Sequence, residues 1–180
     1  MAESFILERT PTPLGEGVLV SDAKGALRLF YWDDPTHRWE AALRQRYGNV
    51  VLVEKARLFG HAKALEDYFD GDVFAIDKIA VALAGTPFQL KVWTALRRIA
   101  GGTTTSYAAL ARTIGKPSAI RAAGLANGQN PISLVVPCHR VVGSNGSLTG
   151  YGGGLPRKRW LLEHEARHAS SDLFQKKAVS

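Results

Sequence analysis

The chain has 180 residues, of which 46% are hydrophobic and 22% charged, so a folded core needs neither disulfides nor a metal. Its length fits one ordinary domain or two small ones that share a core. The net charge of +7 favours a polyanion as partner, although charge alone does not single out nucleic acid. A single cysteine excludes an internal disulfide, and no apolar run approaches the roughly 20 residues of a membrane span. We expect a cytoplasmic protein without a secretory signal or membrane contact.

The first 80 residues predict a small domain of mixed strand and helix. Apolar stretches at residues 5–7, 18–20 and 27–31 indicate the strands of a small antiparallel sheet. Asp22-Ala23-Lys24-Gly25 predicts the turn between the last two strands. This half carries no recognisable chemical signature.

Helix signals follow these strands. Asp34-Pro35 predicts a capped start with proline at the first helical position, and residues 39–47 continue it with apolar side chains four residues apart. A short strand at 50–53 and a helix over 58–69 come next. Thr86-Pro87 repeats the cap-plus-proline signal and predicts a helix that Gly101-Gly102 ends.

Two short helical patterns, at residues 106–114 and 118–127, are joined by Gly115-Lys116-Pro117. This spacing predicts a helix-turn-helix, although an ordinary helical hairpin looks similar. The second pattern is rich in alanine and glycine, which suits either close helix packing or backbone approach to a narrow DNA groove. Arg121 is its one long polar side chain.

An apolar run at residues 132–136 predicts a strand that leads into Pro137-Cys138-His139-Arg140. A glycine-rich segment at 143–154 and an amphipathic helix at 157–165 follow. We expect residues 167–180 to form a loosely ordered tail.

Cys138 is by default a small buried hydrophobe. However, it lies at the end of a predicted strand, next to a histidine and an arginine that favour the thiolate, which is the reactive form. His139 is a candidate base, acting directly or through a water, with a carboxylate to orient it. Spacing alone leaves the choice between Glu163 and Glu165 open.

The chain resembles the O6-alkylguanine-DNA alkyltransferases. The tetrapeptide at 137–140 resembles the active-site signature of that family. Other segments match in order and spacing; these are Gly85-Thr86-Pro87-Phe88-Gln89, Val92-Trp93, Ser106-Tyr107, Arg121-Ala122-Ala123-Gly124, Asn130-Pro131-Ile132, Val141-Val142-Gly143, Gly150-Tyr151-Gly152-Gly153-Gly154-Leu155 and Trp160-Leu161-Leu162. The resemblance is continuous over residues 85–165.

The resemblance implies an α+β protein with a mixed N-terminal domain, residues 1–80, and a mainly helical C-terminal domain, residues 85–166. It implies that the second helix of the motif enters the minor groove of double-stranded DNA, that Arg121 replaces the target nucleotide and that Tyr107 presses on the adjacent phosphate, so that the base rotates out. The DNA-contacting residues implied in this way are Tyr107, Ser118, Arg121, Ala122, Ala123, Gly124 and Asn127.

The resemblance further implies irreversible, single-turnover transfer of an alkyl group from O6 of guanine, with O4-alkylthymine as a further substrate. His139 deprotonates Cys138 through a water, and Glu165 rather than Glu163 holds the histidine. Backbone around Cys138 and Val141 accepts hydrogen bonds from the guanine, while Tyr107 donates to its ring. The remaining implied pocket residues are Asn130, as a hinge, and Tyr151, Gly152 and Gly153.

Two departures from the family pattern lead to expectations. Many relatives have serine where this chain has Gly152, so we expect a roomier pocket that accepts adducts larger than methyl. The zinc site of some relatives needs cysteines that the N-terminal half lacks, and His37 and His61 are isolated, so we expect no metal and no cofactor.

Three alternatives compete with an alkyltransferase that acts as a monomer or clusters on DNA. A non-catalytic binder of alkylated DNA is disfavoured because Cys138 is present. A cysteine hydrolase leaves the helix-turn-helix unexplained, and a DNA-binding regulator leaves the tetrapeptide unexplained.

Overall fold

The computed structural model describes residues 3–35 and 39–177. The strands in these ranges are β1 (Ser4–Thr12), β2 (Gly15–Ser21), β3 (Leu27–Trp32), β4 (Val51–Glu54), β5 (Thr105–Ser106) and β6 (Val141–Val142). The α-helices are α1 (Trp39–Tyr47), α2 (His61–Phe69), α3 (Pro87–Leu96), α4 (Tyr107–Thr113), α5 (Ile120–Gly128) and α6 (Leu155–Lys177). The α+β class is confirmed. None of the described helices is long and apolar enough to cross a membrane.

The main sheet has the strand order β3-β2-β1-β4. The antiparallel arrangement of the first three strands is confirmed, and the amide of Gly25 donates to the carbonyl of Asp22 at 3.0 Å in the predicted turn. Gly25 has a φ of +86°, a backbone conformation that residues with a side chain rarely adopt. β4 runs parallel to β1, because the connection through α1 is long enough to return the chain to the same end of the sheet.

Three predicted helix boundaries differ from those observed. Pro35 lies in a turn rather than at a helix start, and α1 begins at Trp39, while the Asp34 carboxylate accepts from Arg157 at 2.6 Å. α2 begins at His61 and not at residue 58, since Gly60 has a left-handed φ of 79°. α3 has the predicted cap at Thr86, which forms a capping box with Gln89, but the helix ends at Leu96, before the two glycines.

The predicted pair of short helices is present as α4 and α5. The Ser106 side chain caps α4 by accepting from the amide of Ala109 at 3.0 Å, and Gly115 has a φ of +72° in the connecting turn. The indole of Trp93 donates to the carbonyl of Ala126 at 2.8 Å. α5 therefore packs against α3 and α4 and leaves the face with Arg121, Ala122 and Leu125 exposed.

The strand predicted over residues 132–136 is wrong. Ile132 makes one isolated bridge to Phe30, and the chain then turns, with the amide of Val136 donating to the carbonyl of Ile132 at 2.9 Å. The run is apolar because it is buried on all sides, so its composition could not separate a buried turn from a strand. α6 continues to Lys177, so residues 167–177, predicted as a loosely ordered tail, are helical.

One hydrophobic core joins the two predicted halves. Phe30 and Trp32 of β3 and Tyr68 of α2 pack in the same buried cluster as Trp93 of α3 and Leu161 of α6. A smaller cluster between the sheet and α1 is separate from it. Residues 1–80 and 85–166 therefore meet over a shared interior, and Cys138 belongs to it.

Candidate active site

Cys138 begins a single turn of 3-10 helix, Cys138–Arg140, directly after the buried turn. Its side chain is almost fully enclosed, with 3% of the residue exposed. Burial raises the pKa of the thiol, while the Asn130 side chain and the positive charge of Lys158 act in the opposite direction. The cysteine is thus a protonated thiol that needs a base before it can act as a nucleophile.

Glu165 lies at the centre of a buried hydrogen-bond network. Its carboxylate accepts from Nε2 of His139 at 2.8 Å, from the Tyr68 hydroxyl at 2.8 Å and from the backbone amide of Gly102 at 3.3 Å. Burial opposes ionisation, but His139 and Arg140 outweigh it and hold the pKa of Glu165 far below its usual range. Glu163 is exposed, so the geometry distinguishes the two carboxylates that the spacing left open.

His139 is fully buried, and burial lowers the pKa of its imidazole. Because the Glu165 carboxylate accepts at Nε2, the ring proton is placed on that nitrogen. Nδ1 is also buried and has no hydrogen-bond partner among the described residues. The neutral ring therefore keeps an unused basic nitrogen, on the residue that follows the cysteine in the chain.

Arg140 was expected to favour the thiolate, but its guanidinium is directed at Glu165. Nε and Nη2 donate to the two carboxylate oxygens at 2.9 Å each, and Nη1 donates to the carbonyl of Ile99 at 2.6 Å. The residue is fully buried. Arg140 thus keeps Glu165 ionised, and Glu165 in turn orients His139.

Lys158 is a buried cation that the sequence analysis missed. Its ammonium donates to the carbonyl of Val141 at 2.6 Å and to that of Thr149 at 2.9 Å. Burial lowers its pKa, which the nearby Cys138 partly offsets. Lys158 therefore ties β6 to the glycine-rich segment. Its position three residues before Leu161 and seven before Glu165, on the buried face of α6, was the signal available in the sequence.

The Tyr151 ring lies near His139, with the ring centroids 6.4 Å apart, and Gly152 and Gly153 follow it in the chain. The Tyr151 hydroxyl is buried without a partner in the described part of the chain, and burial raises its pKa well above the usual value. A Cβ on Gly153 would lie 2.6 Å from the Tyr151 ring and 3.0 Å from Trp32, so only glycine fits there. A Cβ on Gly152 would meet nothing within 4 Å.

Asn130 holds the two ends of the buried turn together. Its amide nitrogen donates to the carbonyl of Val136 at 2.7 Å, and its oxygen accepts from the amide of Ile132 at 2.9 Å. Asn127 is buried and directs its amide nitrogen at the Cys138 carbonyl, 3.5 Å away. The expectation of a direct DNA contact therefore needs correction for the side chains of Asn127 and of the fully buried Ala123, because both face the interior.

The outward face of α5 carries Arg121, Ala122 and Leu125, the last of which is 64% exposed. Ser118 is exposed in the turn just before the helix. Gly124 faces α4, where a Cβ would come within 3.5 Å of the Tyr107 ring. The Tyr107 hydroxyl donates to the carbonyl of Thr149 at 3.0 Å, which joins α4 to the glycine-rich segment.

Of the two isolated histidines, only His61 lies among the described residues. Nε2 of His61 donates to the carbonyl of Gly25 at 3.0 Å, and His37 lies outside the described residues. Over residues 3–35 and 39–177, no three side chains of His, Cys, Asp or Glu are grouped so that they could hold a metal ion.

The sequence of this chain is similar to those of known proteins. A protein-family model described as "6-O-methylguanine DNA methyltransferase, DNA binding domain" matches residues 87–167. The methylated-DNA–protein-cysteine methyltransferase of Salmonella typhimurium is 47% identical over 160 residues, which cover 88% of this chain and 94% of that relative. The chain belongs to the methylated-DNA–protein-cysteine methyltransferase family.

Solved structures agree with membership of the methylated-DNA–protein-cysteine methyltransferase family. The crystal structure of Mycobacterium tuberculosis O6-methylguanine methyltransferase covers 95% of this chain and 98% of its own, with a TM-score of 0.80 and 38% identity. A crystal structure of Mycobacterium tuberculosis OGT in complex with DNA covers 91% of this chain and 94% of its own, with a TM-score of 0.76 and 39% identity. The likeness therefore includes the N-terminal half, which lies outside the matched family model.

Proposed function

We propose that this protein repairs double-stranded DNA by moving an alkyl group, in the simplest case methyl, from O6 of guanine to Sγ of Cys138. The observation that carries the proposal is the buried chain of contacts from Arg140 through Glu165 to His139, which leaves Nδ1 of the histidine unused in the residue that follows Cys138. Family membership supplies the reaction class.

The chemistry requires one proton transfer and one substitution. The thiol proton passes to Nδ1 of His139, directly or through a water, and Sγ then attacks the alkyl carbon. The bond from that carbon to O6 breaks, and its electron pair stays on the guanine. The Tyr107 hydroxyl has one proton, so it exchanges its hydrogen bond to Thr149 for one to the guanine ring as this charge develops. The released guanine takes up one proton from water, and the proton held by His139 returns one to water, so the reaction balances.

The pocket already presents backbone acceptors near the sulfur. The carbonyl of Val141 accepts from Lys158, and that of Cys138 lies within reach of Asn127. Each carbonyl has a second lone pair, which is available to the amino group of a guanine. We therefore expect Lys158 and Asn127 to orient these acceptors.

A base inside the duplex cannot reach a thiol that is 3% exposed, so the target nucleotide must leave the stack. We expect α5 to lie in the minor groove with Arg121 in place of the extruded base. The exposed Ala122 and the nearby Gly124 let the helix backbone approach the groove. Phosphate contacts by the surrounding cations should make binding weaken with salt.

The thioether formed on Cys138 has no electrophilic carbonyl that water could attack. Each chain therefore accepts one alkyl group, needs no cofactor and is consumed. We expect a monomer to suffice, because the described chain contributes the cysteine, the base and the DNA-facing helix from within itself.

Intact-mass measurement after incubation with duplex DNA containing O6-methylguanine tests the proposal. We expect a gain of one methyl group on Cys138 and none in Cys138→Ser. Specific binding without a mass gain would favour a protein that only marks the lesion. The absence of both specific binding and a mass gain would favour a hydrolase.

Arg121→Ala tests base extrusion separately. It should slow repair of duplex DNA much more than reaction with free O6-benzylguanine, which needs no extrusion. Equal slowing of the two reactions would contradict the role of Arg121.

A further inference from the structure

Arg46 in the last turn of α1 differs from three other arginines of its half. Arg9, Arg28 and Arg57 are each paired with carboxylates. Arg46 has no hydrogen bond or ion pair within residues 3–35 and 39–177, and its Nε is buried without a partner. Its guanidinium lies over the Trp93 ring, 5.5 Å from the centroid. The donors of this planar cation are therefore held in place by stacking and are unused.

The Arg46 side chain lines a cleft of about 570 Å³ between the two halves of the molecule. Tyr31 of β3 and Gln45 of α1 contribute from the N-terminal half, and Gln89 of α3 and Gln129 contribute from the other. No carboxylate is among the described residues that line it. A cleft with one unpaired cation and three amide side chains has the chemistry of an oxyanion site.

The cleft opens at the end of the outward face of α5. Arg121, Leu125 and Gln129 follow one another at four-residue spacing, and all three are exposed. The amide of Gln89 donates to the side-chain oxygen of Gln129 at 2.9 Å. A nucleic-acid strand lying along α5 would therefore reach the cleft where the helix ends.

We propose that this cleft binds a phosphodiester group of the DNA strand that passes the C-terminal end of α5, with Arg46 as its charged donor. The inference rests on the proposed DNA repair function, and it assigns a DNA contact to the N-terminal half. The Arg46 guanidinium donates two N–H groups to the phosphate oxygens, and Gln45 and Gln129 add neutral hydrogen bonds.

The test compares Arg46→Gln with Arg44→Gln. Both arginines lie in the last turn of α1, but Arg44 is exposed and lines a different depression, near Asn49 and Leu52. Binding of an undamaged duplex is measured over a series of NaCl concentrations. For Arg46→Gln we expect roughly tenfold weaker binding at low salt. The slope of log affinity against log salt should also become shallower by about 0.9. Arg44→Gln should match wild type.

Two further variants separate phosphate binding from packing. Arg46→Lys keeps the charge but not the planar stacking on Trp93, so its salt slope should stay near that of wild type. Gln45→Glu places a carboxylate in the cleft at an exposed position and should weaken DNA binding even if Arg46→Gln folds poorly. Wild-type affinity in Gln45→Glu, or equal slopes for Arg46→Gln and Arg44→Gln, would overturn the proposal.

The reaction of Cys138 with free O6-benzylguanine distinguishes the two levels of inference. Arg46→Gln should react at the wild-type rate, because the cleft is not part of the alkyl-binding pocket. If wild type adds no alkyl group while Arg46→Gln still lowers the salt slope, the repair function fails and the phosphate site stands. If wild type is alkylated normally but Arg46→Gln has the wild-type salt slope, the repair function stands and the phosphate site fails.

Discussion

Residues 1–80 contain thirteen acidic and ten basic side chains, whereas residues 81–162 contain ten basic side chains and no acidic one. In the first region cations are paired locally, as in Arg28 with Asp22 and Arg57 with Glu66. In the second region such local pairs cannot form. The two regions are similar in length, so the difference reflects how each one is used.

The second region satisfies its buried and half-buried cations in two ways. Arg97 and Lys158 donate to backbone carbonyls, whereas Arg140 and Arg157 use acids from outside the region, Glu165 and Asp34. The other six cations are exposed; they are Lys91, Arg98, Arg112, Lys116, Arg121 and Arg159. A surface with no acids of its own stays open to phosphates, and the few acids it needs are buried or at its border.

Removal of the buried acid should have the largest effect on this arrangement. Glu165→Gln leaves Arg140 buried without a counter-charge and weakens the hold on His139. We expect a loss of about 3–5 kcal/mol in the free energy of unfolding, measured by urea denaturation. Alkylation by free O6-benzylguanine should slow as well. The exposed Glu163→Gln is the matched control and should change neither quantity.

The same variant gives a pH dependence with a defined sign. The pKa of Glu165 in the folded protein lies far below the ordinary value, which is about 4.3 in the unfolded chain. The carboxylate therefore stabilises the fold above about pH 4.3, and this stabilisation is lost as the pH falls further. The stability gap between wild type and Glu165→Gln should be full at pH 7 and shrink in acid. A constant gap would contradict this reasoning.

Lys158→Met tests a buried cation whose hydrogen bonds go to backbone carbonyls. It removes the Lys158 donor from the carbonyls of Val141 and Thr149, the second of which keeps its hydrogen bond from the Tyr107 hydroxyl, at a cost of about 1–3 kcal/mol in unfolding free energy. Because the ammonium favours the thiolate of Cys138, its loss should move the rise of the alkylation rate to higher pH. The exposed Arg159→Met is the control; an equal shift of its pH profile would exclude a local effect of Lys158.

Asp34→Asn removes the acid at the border between the regions. Each side chain of its ion pair with Arg157 is 20% exposed, so we expect the free energy of unfolding to fall by only about 0.5–1 kcal/mol. Arg157 also donates to the carbonyl of Gly153, so reaction with O6-benzylguanine should slow modestly. Asp33→Asn, which breaks a pair with Arg9 inside the first region, should affect stability alone. Equal slowing by both would show that the border pair has no special role.

Gly152→Ser changes the second region without changing charge and should have the smallest effect. Its Cβ meets nothing within 4 Å, so stability should stay within about 0.5 kcal/mol of wild type in thermal unfolding. On the expectation that residue 152 lines the alkyl-binding pocket, the added side chain should narrow it and lower the rate with O6-benzylguanine relative to that with O6-methylguanine. An unchanged ratio of the two rates would show that residue 152 does not set adduct size.

Local signals in the sequence were sufficient for the elements that depend on local chemistry. The Thr86 capping box and the paired helices around Gly115 are both present, because caps and turn glycines act within a few residues. The predicted strand at 132–136 failed because burial from all sides removes the periodicity that separates strand from turn. Lys158 and Arg46 were missed because their roles depend on carbonyls and a ring that lie far away in the sequence.

The Tyr68 hydroxyl, which donates to Glu165 across 97 residues of chain, has a consequence for dissecting this protein. The cysteine, its histidine and the DNA-facing helix all lie after residue 85, which makes that half look like a transferable module. However, a fragment cut there would lose a hydrogen bond to the central carboxylate and expose the side chains that pack on Trp32 and Phe30. Reactivity toward alkylguanine should therefore belong to the intact chain and not survive as a property of either half alone.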